Sequence, residues 1–330
     1  MATISDVAAR AGVSTATVSR VLNGKSTVDP ALAERVARAA EELSYTPNGL
    51  ARNLRRRETA VLALIISDVE NPFFTAIARG VEDTAQAAGY SVMLCNSDEN
   101  PAKERRYVEV AAMERLAGVI MSPTTPDSDV QPLLDHRTPI VTVDRRLRSA
   151  DCDAVLVDSR AAAKEATLHL AERGYERIGC IAGPAGVTTA DDRLAGFRDG
   201  IRAAQAKSSA RWVRRCEFRG TAGRQTAEHL LSLPEPPDAL LVSSSTMAVG
   251  VLQALADRGL RAGRDVGIVA FDDAPWTTLI DPALTVVAQP ASAMGQLAAR
   301  LLLARITEGT KTTSTTTMRA QLLIRDSSHR

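Results

Sequence analysis

Only four cysteines occur in 330 residues, Cys95, Cys152, Cys180 and Cys216, and none stands in a C-x-x-C or Cys/His metal spacing. Disulfides and a metal site are therefore not expected; Cys95 and Cys180 sit inside apolar runs, where a thiol acts as a small hydrophobe. The four histidines, His136, His169, His229 and His329, are scattered. His169 and His229 fall in helical patterns and are expected at the surface. Missing too are a G-x-S-x-G elbow, a phosphate-binding G-x-x-x-x-G-K-[ST] loop, a G-x-G-x-x-G after a strand and an H-E-x-x-H helix. These absences predict no catalytic residue, no metal and no cofactor. No apolar run approaches the ~18 residues that span a bilayer, and the first residues do not follow the basic-then-apolar order of a secretion signal. A cytoplasmic protein without a membrane partner is expected.

An excess of either charge is also missing, since 40 Lys and Arg meet 39 Asp and Glu. The distribution says more than the sum. Residues 1–58 hold nine basic and six acidic side chains, a net +3, while the remainder holds 31 basic and 33 acidic. Any positive field belongs to the N-terminal segment. The chain exceeds one typical domain, and its 45% hydrophobic content suffices for a large buried core.

What is present begins with Thr3 to Asn23, TISDVAARAGVSTATVSRVLN. Thr3 followed by Asp6 makes a capping-box start, and Ile4, Val7, Ala8 and Ala11 give a helix one apolar face. Gly12 suits the left-handed end of that helix, and Ser14 with Thr17 opens a second. Val18, Val21 and Leu22 face inward. Thr15, Ala16, Ser19 and Arg20 stay outside, where a second helix can enter a major groove. Asp29-Pro30 starts a third helix, to about Leu43, whose inward stripe is Leu32, Val36, Ala39, Ala40 and Leu43.

The pattern TIxDVAxxAGVSxxTVSRVLN resembles the DNA-binding signature of the lactose-repressor (LacI/GalR) family. The resemblance implies Ser14, Thr15, Ala16, Thr17, Ser19, Arg20 and Asn23 as DNA contacts, with Thr15, Ala16 and Arg20 reading bases. Further on, PNxxARxL within residues 47–57 resembles the family's hinge helix, with Leu54 as a minor-groove wedge, Ala51 beside it and Arg55 near the backbone. It further implies a nucleoid-associated homodimer on a pseudo-palindromic operator in double-stranded DNA. Dimerisation then uses the outer lobe faces, including the helices after the first and second strands.

From Ala60 onward, short β-branched runs alternate with amphipathic helices, which predicts parallel, doubly wound sheets in two lobes. By resemblance this body is periplasmic-binding-protein-like (type I). The expected fold is an all-α helix-turn-helix module plus an α/β two-lobed effector domain. The divisions are 1–46 for the DNA-binding domain, 47–59 for the hinge and linker, and 60–330 for the body. Lobe 1 takes about 60–158 and 288–318, lobe 2 about 159–287 and 319–330. Chain crossings are expected near 144–159, 272–286 and 318–324.

Ligands of such sheets lie beyond the carboxyl ends of the strands. Those ends offer Asn71, Phe73 and Phe74; Asp144 and Arg145; Arg193; Phe218; Ser244; Asp272; and Gln289, with Trp276 as a cover over the mouth. Planar donors and acceptors beside aromatic faces suit a polyhydroxylated ligand. The pattern also resembles the sugar-contacting positions of ribose-type binding proteins and their repressor relatives, with one departure. The usual Asn-Asp before M-A-x-G is here Ser244-Ser245. The expected function is a repressor released by a small carbohydrate. A purine-type corepressor is the alternative, against which Val187 stands where a purine-responsive relative carries arginine. A sugar carrier or a sugar-metabolising enzyme is the alternative from another class.

Overall fold

The computed structural model describes residues 2–22, 29–43, 45, 59–207, 209–309 and 312–330, and the chain divides into two compact units, 1–59 and 60–330. In the first unit, α1 (Ile4–Ala11), α2 (Thr15–Leu22) and α3 (Pro30–Glu42) close around Val7, Ala8, Ala11, Val18, Val36 and Ala39. Each end is fixed locally. The Thr3 hydroxyl accepts from the Asp6 amide at 3.3 Å while the Asp6 carboxylate accepts from the Thr3 amide at 2.7 Å. Gly12 takes φ 66° to end α1, and Arg35 reaches from α3 to donate to the Ala11 carbonyl at 2.6 Å. Asp29 caps α3 through the Ala31 amide at 2.8 Å, with Pro30 at the first helical position. So small a core leans on such caps. Asn23, Ala51, Leu54 and Arg55 lie outside the described residues.

The second unit holds two six-stranded sheets. The first contains β1 (Val61–Ile66), β2 (Ser91–Asn96), β3 (Gly118–Met121), β4 (Ile140–Val143), β5 (Asp153–Val157) and β11 (Thr315–Met318), in the order β11-β5-β4-β3-β1-β2. The second contains β6 (Ile178–Ala182), β7 (Val213–Arg215), β8 (Ala239–Val242), β9 (Gly267–Phe271), β10 (Thr285–Ala288) and β12 (Gln321–Leu323), in the order β12-β10-β9-β8-β6-β7. The two orders are the same motif used twice. All pairings are parallel except β10 with β12, as expected of strands buried on both faces by crossover helices.

Those helices are α4 (Pro72–Ala87), α5 (Pro101–Met113), α6 (Gln131–Asp135), α7 (Ser159–Glu172), α8 (Thr188–Ala203), α9 (Gly220–Leu231), α10 (Ser245–Asp257) and α11 (Ala291–Glu308). Each sheet carries one apolar cluster per face: one around Leu62, Ile77 and Leu302 and another around Ile65, Val108 and Leu133 in the first lobe, then Leu170, Phe197 and Phe271, and Leu230, Met247 and Val251, in the second. Helices within a lobe touch through glycine. A Cβ at Gly80 of α4 would stand 2.1 Å from the Ser292 carbonyl, and one at Gly295 of α11 would stand 2.1 Å from the Ile77 carbonyl.

Three expectations need correction. The second crossing follows β10 instead of preceding it, because Thr285, Val286 and Val287 still pair with β9. His169 is buried, with Nε2 2.7 Å from the Ser328 hydroxyl. The C-terminal turn Asp326–Ser328 covers that face of α7, a long-range contact that helical periodicity cannot disclose. Phe218, expected at a strand end, lies in the loop beyond β7, which stops at Arg215.

Candidate functional site

In the N-terminal unit, burial divides α2 into two faces. Val18 is fully buried, whereas Ser14, Thr15, Ala16 and Arg20 are exposed and Thr17 and Ser19 are half-buried. Ser14 is engaged in capping: its hydroxyl accepts from the Thr17 amide at 3.2 Å and lies 3.0 Å from the Thr17 hydroxyl. A fork-shaped guanidinium, a methyl and a hydroxyl thus share one solvent-facing strip, the combination that reads guanine edges and thymine methyls.

The second unit has a cleft between its lobes, lined by Asn71, Phe73, Phe74, Asp144, Arg145, Arg193, Phe218, Ser244, Asp272 and Gln289, and also by Asp68, Glu99 and Thr189. Nearly all follow a strand's carboxyl end, where the two sheets confront each other. Asp144 follows β4 and Asp272 follows β9, each in the left-handed region at φ 69° and 74°. Their amides donate to Val155 and Val287 at 2.9 and 3.0 Å, so the two lobes repeat one device. Aspartate tolerates this conformation better than most side chains. Gly183, at the end of β6, makes room for the Phe218 ring, since a Cβ there would meet ring carbon Cζ at 2.2 Å.

Arg145 forms a fork on Glu99, with Nη2 2.6 Å from Oε1 and Nη1 2.8 Å from Oε2. Both belong to the first lobe, so this bridge does not span the cleft. Arg193 donates from Nη1 to the Ser243 carbonyl at 2.7 Å and lies over the Phe271 ring at 4.2 Å. Gln289 Nε2 donates to Asp272 Oδ1 at 2.6 Å. Among the described residues, buried Arg145 Nε, Arg193 Nε and Gln289 Oε1 have no hydrogen-bond partner, although Arg145 Nε lies 3.5 Å from Asp144 Oδ2. Two donors and one acceptor in a single cleft are what a ligand bearing hydroxyls would satisfy, and unsatisfied they are costly.

Burial pushes the Asp144 and Asp272 carboxyls upward, opposed by Arg145 and Arg193 at the first and by Arg193 and Gln289 at the second. Asp68 is likewise raised, chiefly by burial. Burial also lowers Arg193, against the pull of Asp272 and Asp144; at Arg145 burial acts in the same sense, but Glu99 and Asp144 overcome it and raise the guanidinium. Four carboxyls face two guanidiniums among the lining residues. An anionic ligand meets repulsion there, and a neutral polyol does not.

Phe73 and Phe74 are both buried, edge to face with centroids 5.1 Å apart. They start α4 under the cleft, where both sides are covered. Trp276 is not among the lining residues; it packs against the second lobe's core beside Leu284 and Ile280. Ser244 caps α10 through the Thr246 amide at 3.2 Å, and the hydroxyl of Ser245 is buried without a partner. Asp68, Glu99 and Thr189 escaped the sequence reading. The first two follow strands β1 and β2, so inspecting every strand end would have found them.

A family model described as bacterial regulatory proteins, lacI family, matches residues 3–48, and a periplasmic binding protein-like domain matches residues 167–328. The ribose operon repressor of Halalkalibacterium halodurans is 37% identical, over 93% of this chain and 91% of that protein. The HTH-type transcriptional repressor CytR of Escherichia coli is 33% identical, over 99% and 96%. Of solved structures, the transcriptional regulator CelR in complex with cellobiose superposes with a TM-score of 0.75 at 31% identity, covering 99% of this chain and 100% of that one. The lac repressor dimer bound to operator and the anti-inducer ONPF gives a TM-score of 0.87 at 25% identity, covering 100% and 99%. With the reading helices, the paired sheets and relatives of this likeness along nearly its whole length, the chain belongs to the lacI family of bacterial regulatory proteins.

Proposed function

We propose that this protein is a transcriptional repressor that binds a pseudo-palindromic operator as a homodimer and is released by a small carbohydrate. The observation that carries the ligand class is the cleft: buried Arg193 and Asp272 and half-buried Gln289 from one lobe confront Asn71, Asp144 and Arg145 from the other, with Phe73, Phe74 and Phe218 beside them. Planar polar groups with free hydrogen-bonding capacity beside aromatic faces match alternating hydroxyls and C–H faces. The carboxyl excess argues against a phosphorylated ligand.

On the DNA side, Thr15, Ala16 and Arg20 are the proposed base readers, and a twofold dimer presents two such helices to two half-sites. Relatives known as a ribose operon repressor and as a regulator complexed with cellobiose support a sugar effector, and the operator-bound lac repressor dimer supports the assembly. Residues 47–59 are proposed as the hinge, and ligand-driven lobe rotation as the signal that alters its spacing.

The test is operator affinity, measured by fluorescence anisotropy with and without a panel of pentoses, hexoses and disaccharides. At least one carbohydrate should weaken operator binding by roughly 5–150-fold, the range of ordinary allosteric coupling, and Asp272→Ala should abolish that response while retaining operator binding. If no carbohydrate shifts the affinity, or if Asp272→Ala responds like the parent, the carbohydrate assignment is wrong.

A further inference from the structure

A recess of about 590 Å³ lies along α8 where that helix passes the edge strand β7, and none of its lining residues belongs to the interlobe cleft. Cavities that hold small molecules measure roughly 300–1,000 Å³, so there is room here for a ligand. The floor is apolar. Leu194, Phe197 and Ile201 recur at helical spacing along one face of α8 and belong to the lobe's core, and half-buried Val213 of β7 joins them.

The rim is cationic. Arg198 and Arg202, about one turn apart on α8, and Arg215 on β7 are exposed, and no aspartate or glutamate is among the lining residues. Two of the three guanidiniums are engaged by carboxylates that stand outside the lining. Arg215 donates to Asp191 at 2.6 Å and to the Gly183 carbonyl at 3.0 Å, and Arg202 donates to Asp199. Asp199 is shared, since Arg160 also donates to it at 2.7 Å. Among the described residues, the Arg198 side chain forms no ion pair or hydrogen bond. Three guanidiniums thus face one carboxylate and a share of another, which leaves a positive field over an apolar floor.

Each feature narrows the occupant. An unengaged guanidinium fork matches a single carboxylate through two parallel hydrogen bonds. The floor, with the arginine methylenes beside it, shelters hydrocarbon. A peptide strand added to the edge is disfavoured, because β7 is three residues long and carries two arginines. We infer that the recess is a second binding site, separate from the cleft, for a small amphiphilic carboxylate: Arg198 holds the head, and the hydrocarbon lies on Leu194, Phe197, Ile201 and Val213. The site is independent of what the cleft binds.

The test is isothermal titration calorimetry of the full-length protein with octanoate, set against acetate, which lacks the tail, octanamide, which lacks the charge, and inorganic phosphate. Octanoate should saturate one site per chain and bind roughly tenfold or more tightly than any of the three, the scale of one charged hydrogen bond. Arg198→Ala should remove that advantage over octanamide, and Arg198→Lys, which keeps the charge without the fork, should restore only part of it. Ala210→Asp, at an exposed lining position, should weaken octanoate through repulsion. Asp272→Ala, in the cleft, should leave octanoate binding as it is in the parent. Octanoate that does not bind, that binds no better than octanamide or phosphate, or that survives both Arg198→Ala and Ala210→Asp would overturn the site. Loss of octanoate binding in Asp272→Ala would overturn it as well, by placing the carboxylate in the cleft.

Discussion

Asp272 combines the two properties that make a buried carboxylate useful to a ligand switch: a costly burial and a place in the cleft lining beside Arg193 and Gln289. Because burial raises its carboxyl, the unliganded cleft retains a proton to higher pH than an ordinary aspartate would, and Asp144 shares this tendency. A group whose folded pKa is raised favours the folded state most below the usual carboxylate range, and that contribution is lost as pH rises through the folded value. Ligand hydroxyls that donate to the carboxylate favour its ionised form. Effector binding should therefore release protons, and affinity should climb with pH above the usual aspartate range until the raised pKa is passed, then level off. Calorimetry in buffers of different ionisation enthalpy measures that release. Asp272→Asn should flatten the profile, and affinity that falls as pH rises would contradict the assignment.

Helix against helix, the lobes are held by glycine contacts whose value can be decided by magnitude. Gly250 of α10 packs so closely on α9 that an added Cβ would stand 1.8 Å from the Gly220 carbonyl and 2.6 Å from the Arg224 amide. Alanine would gain up to about 1 kcal/mol in helix propensity, but overpacking against backbone costs typically about 1–3 kcal/mol, so the clash wins. Gly250→Ala should lower the midpoint of thermal unfolding, with operator binding retained at low temperature. An unchanged or raised midpoint in differential scanning calorimetry would show that the helices part freely. At this level much of the fold was legible, because capping residues and alternating strand and helix patterns are local. The two helices and their turn followed from the caps at Thr3, Asp6, Gly12 and Ser14 together with the apolar spacing of Ile4, Val7, Ala8, Ala11 and Val18, and their DNA-binding role from the family resemblance. The cleft was legible wherever a residue ended an inspected strand, as Asp144 and Asp272 do. The pairing of Glu99 with Arg145 was not legible, because it joins the loops that follow two different strands. Trp276 and His169 were misplaced because long-range packing, of one against the second lobe's core and of the other under the C-terminal turn, decides their surroundings.

Across the whole body, an ion pair spans the cleft: Arg219, at the start of α9 in the second lobe, donates to Asp98, in the loop after β2 of the first, at 2.8 Å. Lys103 adds a longer contact to the same carboxylate at 3.4 Å. Both side chains of the bridge remain substantially exposed, at 47% and 37%, so salt screens it. That weakness suits a switch. Coupling between effector and operator is typically ~1–3 kcal/mol, and an interlobe bond stronger than that would fix the lobes whatever the ligand did. The Arg219 hydrogen bond holds the Asp98 carboxyl below its usual range. A depressed carboxyl contributes above its unfolded pKa and loses that contribution only as pH falls through the depressed value, so the bridge should be insensitive to pH near neutrality and sensitive to salt. Amide hydrogen exchange at residues 97–103 and 218–222 should rise in Arg219→Ala and, for the parent protein, at high salt. It should show no step in protection between mildly acidic and mildly basic pH once intrinsic exchange is corrected. Protection in Arg219→Ala equal to that of the parent would show that the lobes are held together by other contacts, and the bridge would then have no part in setting how readily the cleft opens.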